Sequence, residues 1–388
     1  MKVFILAGEP SGDKLAGALM AGLKQLHADV TFDGIGGPAM QTEGLKSLFD
    51  MAELSVMGLA EILPKYPALR ARLKQTSAAV LARQPDVLIT IDSPDFSLRV
   101  AKQVRAQSAV RTVHYVAPTV WAWRPGRAKK MAPFIDHVLA LFPFEPRYMQ
   151  AAGMRCDFVG HPVVAQPVAS PQEAAAFRTR HGLGTAPLLL MLPGSRRGEV
   201  ARLGPVFGAA ASRILRSRPN TRIVIPAAEP VGQMVREMTR TWPVPPLVLD
   251  PTASDPASAE LEKRAAFGAS TAALAASGTV SLELAASATP MVIAYDMNWL
   301  SRQIISRMVK VDTVTLVNLV SETRAVPEYI GPDCRPEPIA QAVLALLDDP
   351  TRQDAAMAAT MRRLGKGGED PGLRAARAVL SGMAQMVP

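Results

Sequence analysis

The residue best placed to do chemistry is Asp92, in the run Ile91-Asp92-Ser93-Pro94-Asp95-Phe96. Residues 87–91 read as a fully buried strand, so Asp92 emerges at its carboxyl end. A carboxylate there can take the proton of an attacking hydroxyl as a transition state forms. Asp95 is placed to cap the following helix. An earlier turn, Gly8-Glu9-Pro10-Ser11-Gly12-Asp13, joins the first strand to a helix and presents N–H groups at a positive helix end. It is not the G-x-G-x-x-G fingerprint, and Glu9 would repel a pyrophosphate. Ser11, Gly12 and Asp13 are therefore read as acceptor-binding, with a merely structural turn as the alternative, and Glu9 as a second candidate base.

Two turns in the second half suit an anion. Pro193-Gly194-Ser195-Arg196-Arg197-Gly198-Glu199-Val200 follows the apolar run 188–192. Gly194, Ser195 and Arg196 there combine backbone N–H groups with a guanidinium, a cradle for a leaving diphosphate. Ser277-Gly278-Thr279-Val280-Ser281-Leu282-Glu283 also follows a strand and opens a helix. Ser277, Gly278 and Thr279 can take phosphate, while Glu283 suits ribose hydroxyls or a helix ion pair. In the first half, another strand runs into His114-Tyr115-Val116-Ala117-Pro118-Thr119-Val120-Trp121-Ala122-Trp123-Arg124. Trp121 and Trp123, two of only four tryptophans, offer faces to a sugar or acyl chain, although one of them also suits packing. Arg124, Arg127, Lys129 and Lys130 suit phosphate. His114 reads as a satisfied strand histidine.

Parallel sheets wrapped by helices must position these turns, because short apolar β-runs alternate with helical stretches throughout. The first series of strands is expected at 3–7, 31–36, 87–91, 112–116 and 137–140, with helices at 14–26 and 69–83 among the connections. A second series, at 188–192, 222–226, 247–249, 272–276 and 291–294, begins after the proline-rich stretch 163–171. The fold class is α/β, with two doubly wound Rossmann-like domains facing a cleft and ligands at the carboxyl ends of the strands. The expected domains are 1–165, binding acceptor and lipid, and 166–340, binding the donor; a helical segment follows at 341–388.

At 388 residues, two domains are the default. Lys and Arg number 43 against 34 Asp and Glu, a net +9 that suits an anionic partner. The two cysteines, Cys156 and Cys334, lack metal spacing and fit a reducing compartment. The amino-terminal apolar run is too short for a signal peptide, and no stretch reads as a membrane span. Membrane contact is therefore expected to be peripheral. In segment 55–75, Val56, Leu59, Ile62 and Leu63 accompany Lys65, Arg70, Arg72 and Lys74. That mixture is read as an interfacial anchor, and equally as an ordinary amphipathic surface helix. No D-x-D pair occurs, which argues against a metal-clamped sugar-nucleotide transferase. Zinc-protease, serine-hydrolase and P-loop motifs are also missing. No metal or cofactor is expected.

Across residues 8–13, 51–58, 91–96, 114–123, 141–145, 159–161, 192–200, 276–283 and 317–319, in that order, the chain resembles the lipid-A-disaccharide synthase family, glycosyltransferases of the GT-B fold. The resemblance implies inverting transfer of 2,3-diacylglucosamine from UDP to 2,3-diacylglucosamine 1-phosphate, giving the β-1,6 disaccharide and UDP. It places Asp92 on the family's proposed base, Arg196 on its diphosphate arginine, and Glu283 and Asn318 on nucleotide-side positions. It implies a cytoplasmic enzyme peripheral to the inner face of the cytoplasmic membrane. Its C-terminal segment packs back on the N-terminal domain of its own chain or of a homodimer partner. The sequence departs from the family at 251–264, which reads as a longer surface loop. A UDP-N-acetylglucosamine 2-epimerase on the same fold is the rival reading. A basic nucleic-acid-binding protein would leave Asp92 and the 194–196 turn unexplained, so nucleic acid is not an expected partner.

Overall fold

The computed structural model describes residues 1–54, 59–122, 126–297 and 312–384, with the side chains of 59–65 left out. It contains two six-stranded parallel sheets. The first runs β2-β1-β3-β4-β5-β6, from β1 (Lys2–Ala7), β2 (Thr31–Ile35), β3 (Val87–Ile91), β4 (Arg111–Tyr115), β5 (His137–Ala140) and β6 (Arg155–Phe158). The second runs β12-β11-β10-β7-β8-β9, from β7 (Leu188–Leu192), β8 (Arg222–Pro226), β9 (Leu247–Leu249), β10 (Ala272–Ala276), β11 (Met291–Tyr295) and β12 (Glu328–Ile330). The fold is thus α/β and doubly wound in each half, the Rossmann-like pair of the GT-B type.

The central strands are apolar because helices cover both faces of a parallel sheet. All five residues of β3, β7 and β10 are buried. One polar residue in β3, Thr90, is satisfied by His114 on the neighbouring strand, with Oγ1 and Nδ1 2.8 Å apart. Burial lowers the His114 pKa to about 3, so this strand histidine is neutral. Two edge strands were absent from the sequence reading. In β6, Arg155 and Asp157 interrupt the apolar pattern, and β12 is only three half-buried residues long.

Each sheet changes winding direction once, between β1 and β3 and between β7 and β10. Ala7 pairs with Ile91 at the end of one junction, and Ala275 with Leu192 at the end of the other. Open α/β sheets bind ligands at the carboxyl ends of strands at such switch points. The chain divides into two compact units, residues 1–165 with 367–388, and 166–366. Residues 341–366, grouped with the tail in the sequence reading, pack in the second unit. Only the last helix, Pro371–Ala384, lies on the first, against helix Pro10–Leu26 of the same chain. A Cβ at Gly22 would lie 2.8 Å from the Gly372 carbonyl oxygen, so the two helices cross where neither carries a side chain.

Candidate active site

At the first switch point, Asp92 and Ser93 both adopt left-handed backbone, with φ of 46° and 40°. Such conformations cost non-glycine residues about 1–3 kcal/mol each and cluster at functional sites. The Asp92 N–H donates to the Tyr115 carbonyl at 3.0 Å, extending the β3–β4 ladder one residue before the chain turns away. Asp92 is half-buried, and burial raises its carboxyl pKa, opposed by the Ser93 backbone N–H. A desolvated carboxylate is a stronger base than a hydrated one.

The turn after β1 lies against this one. A Cβ on Gly8 would come within 2.6 Å of the Ser93 Oγ. Glu9 is extended and half-buried at the start of helix Pro10–Leu26. Ser11 is exposed on the first turn of that helix. Gly12 and Asp13 have structural work instead. Gly12 is buried, and a Cβ there would sit 3.4 Å from that of Ala7. Asp13 is 4% exposed, and its carboxylate accepts from the N–H groups of Gly37 (2.8 Å), Ala39 (2.9 Å) and Met40 (3.1 Å). It caps the short helix Pro38–Thr42, and its buried carboxylate is committed to that cap. Beside it is a cavity of about 640 Å³ lined by Pro10, Gly37, Gln41, Phe49, Asp50 and Met51, which sequence reasoning missed.

Trp121 also differs from its expected role. It is 9% exposed, meets Phe144 edge-on at 5.1 Å between centroids, and donates from Nε1 to Glu145 at 3.3 Å. Its ring is part of the core, not a platform for sugar. Glu145 also accepts from the N–H groups of Leu141 (3.1 Å) and Phe142 (3.0 Å), and burial raises its pKa to about 7. Trp123 and Arg124 lie outside the described residues, as does Val56. The side chains of Leu59, Ile62, Leu63 and Lys65 also lie outside them. Arg70 and Lys74 are exposed. Arg72 is engaged within the protein: Nε and Nη2 reach Glu53 at 2.8 and 2.6 Å, and the guanidinium sits 4.4 Å from the Phe49 ring centroid. No described helix is long and apolar enough to cross a membrane.

At the second switch point the expected donor residues converge. Gly194, Ser195, Arg196, Ser277, Gly278, Thr279 and Glu283 line one cavity of about 1080 Å³. Small-molecule pockets run from ~300 to 1,000 Å³, so this one has room for a nucleotide and more. The Arg196 side chain is 64% exposed. The backbone cradle, however, is already occupied, since the N–H groups of Ser195 and Arg196 donate to the Glu199 carboxylate at 3.0 and 3.3 Å. Glu283 is paired across helices, its Oε2 2.7 Å from Lys263 Nζ.

Asn318 is absent from this wall. It is 1% exposed; its amide donates to the Val326 carbonyl at 2.9 Å and accepts from the Val326 N–H at 3.0 Å. It fastens the strand-leading loop to its own helix. Residues 251–264, expected to form a surface loop, prove to supply part of the cavity, including Pro251, Thr252, Ala259 and Lys263. His181 lines it too, with Nε2 2.9 Å from Glu262; burial lowers the His181 pKa. Neither reads as part of a site from the sequence, where a lone histidine and a small-residue stretch carry no spacing signal. No group of three or more His, Cys, Asp or Glu able to hold a metal occurs among the described residues.

Two doubly wound parallel sheets, with chemistry-bearing turns at both switch points, define a GT-B-type α/β enzyme. The family model described as lipid-A-disaccharide synthetase matches residues 3–376. The lipid-A-disaccharide synthase of Ruegeria pomeroyi is 65% identical over 380 residues, covering 98% of this chain and 95% of that protein. The synthase of Rhodospirillum centenum is 47% identical over 391 residues, covering 99% and 95%. The chain belongs to the lipid-A-disaccharide synthase family, and it is a glycosyltransferase of lipid A biosynthesis. Among solved structures, the UDP-GlcNAc 2-epimerase of Neisseria meningitidis bound to UDP-GlcNAc superimposes with a TM-score of 0.65 at 12% identity, covering 99% of this chain and 100% of that one. The Methanocaldococcus jannaschii UDP-GlcNAc 2-epimerase in complex with UDP-GlcNAc and UDP gives 0.61 at 13%, covering 98% and 99%. At such identities the likeness speaks for the fold alone.

Proposed function

We propose that this enzyme transfers 2,3-diacylglucosamine from its UDP-activated form to 2,3-diacylglucosamine 1-phosphate, with inversion, yielding the β-1,6 disaccharide 1-phosphate and UDP. The observation that carries this reading is the cavity at the second switch point, where an exposed guanidinium and Glu283 share one wall system. The UDP moiety lies there, with Arg196 on the diphosphate and Glu283 on the ribose. The first unit supplies the base. The acceptor's primary hydroxyl attacks C1 of the donor sugar from the face opposite the diphosphate. Its proton passes to Asp92, and the C1–O bond breaks with its electron pair leaving on UDP. The hydroxyl is too weak an acid to ionise beforehand, so a carboxylate takes the proton as the new bond forms. Charge growing on the departing diphosphate is met by Arg196.

The test is UDP release measured with and without the phosphorylated acceptor. Release only with acceptor, with one disaccharide per UDP, supports the transfer. Acceptor-independent release, with epimerised sugar, would favour the rival epimerase. Membrane attachment is part of the proposal. Val56, Leu59, Ile62 and Leu63, with the exposed Arg70 and Lys74, anchor the enzyme peripherally to the inner face of the cytoplasmic membrane. Replacing the four apolar residues by Ser releases the protein from anionic liposomes on this reading; undiminished co-sedimentation contradicts it.

A further inference from the structure

The turn at the second switch point contains an anion of its own. Glu199 stands on the first turn of helix Arg197–Ser217, three residues beyond Arg196. Its Oε2 accepts from the Ser195 N–H at 3.0 Å and the Arg196 N–H at 3.3 Å, while Oε1 lies 3.3 Å from Arg196 Nη1. The preceding strand end makes room for it. Gly194 has φ of 124°, and a Cβ there would fall 2.5 Å from the Glu199 Cβ and 2.8 Å from Oε2. The Glu199 side chain is 15% exposed, whereas that of Arg196 is 64% exposed. The carboxylate is seated while the guanidinium reaches outward along the cavity wall. At the end of β11, burial raises the Tyr295 phenol pKa, with the Glu199 carboxylate adding to the rise and Arg196 opposing it.

We propose that Glu199 is a positioning residue, whose carboxylate holds the 194–196 turn and aims the Arg196 guanidinium at the leaving diphosphate. The inference rests on the reading that Arg196 meets that group. Two backbone donors at this helix end are taken, so recognition of the diphosphate falls to the side chain. A long side chain already tethered loses less rotamer freedom when it closes on an anion. Opposite charge at 3.3 Å supplies that tether, and the two amides fix the carboxylate that makes it.

Two roles of Glu199 are separable. Glu199→Gln keeps an oxygen for the two amides but removes the charge that steers Arg196. The experiment is a double-mutant cycle in kcat for acceptor-dependent UDP release, using wild type, Arg196→Ala, Glu199→Gln and the double variant. With Arg196 present, Glu199→Gln should lower kcat roughly tenfold, and in the Arg196→Ala background less than about twofold. Acceptor KM and Tm should hardly move. Equal losses in both backgrounds, or no loss in either, overturn the proposal and leave the assignment of Arg196 intact. If Arg196→Ala alone keeps full kcat, the reading of Arg196 falls and the inference with it. Should Glu199→Gln fail to fold, Glu199→Asp makes the same comparison. Its shorter arm slackens the tether but keeps the charge, and its loss must again disappear without Arg196.

Discussion

The connections that follow β3 and β7 each bring a carboxylate to a switch point, Asp92 in the turn and Glu199 on the first turn of the helix, and treat the two in opposite ways. After β3, two consecutive non-glycine residues are held at positive φ, and Asp92 is left desolvated with a raised pKa. After β7, glycine takes the positive φ, and Glu199 folds back onto two N–H groups and a guanidinium. The first arrangement spends backbone stability to keep a carboxylate basic. The second neutralises its carboxylate and leaves a cation outermost. A base and a leaving-group clamp need these opposite electrostatics. The pattern of strand, turn and helix is the same, so the difference lies in which atoms each turn presents.

The comparison can be broken first at the cationic end. If Arg196 meets the diphosphate as proposed, Arg196→Ala removes a contact that strengthens as that group gains charge, and kcat should fall roughly 100-fold or more. A mild rise in donor KM at unchanged kcat would mean that Arg196 holds only the ground state.

A smaller effect is expected at Glu145, a third carboxylate, in the connection after β5 and hydrogen-bonded to Trp121. Its folded pKa of about 7 lies above the ordinary carboxylate value because of burial. A proton therefore binds more tightly to the folded state. The stability associated with the protonated form is present at low pH and is lost as pH rises through about 7. Glu145→Gln should flatten Tm between pH 5 and 8 and raise it at pH 8 by roughly 2–4 °C. A Tm that falls equally at both pH values would show that the two amide contacts of the carboxylate outweigh its desolvation.

Much of this architecture was legible in the sequence. The runs at β3, β7, β8, β9 and β10 are apolar or bounded by turn residues, and their limits follow from composition alone. Asp92 and the 194–196 and 277–279 turns were legible for a related reason: each directly follows a buried strand. What the sequence conceals is partnership at a distance. Asp13 looks like a binding residue until the loop at 37–40 closes on it. Trp121 looks like a platform until Phe142, Phe144 and Glu145 surround it. Asn318 looks like a nucleotide-side residue until Val326 takes up its amide. Burial and hydrogen bonding decide between site and scaffold, and neither is a property of local spacing. The 251–264 stretch errs the other way, since small exposed residues read as loop although they wall a cavity.

The assignment of proton acceptance to the first unit and leaving-group binding to the second is tested most directly by Asp92→Asn. The substitution keeps the shape and removes the charged base. The account predicts a kcat lower by roughly 100- to 10,000-fold, the usual worth of general-base help, with UDP affinity nearly unchanged. Glu9→Gln, on the adjoining turn, should raise acceptor KM more than it lowers kcat. An Asp92→Asn enzyme that keeps more than about a tenth of kcat, beside a Glu9→Gln enzyme that has lost turnover, would contradict the account and exchange the two roles.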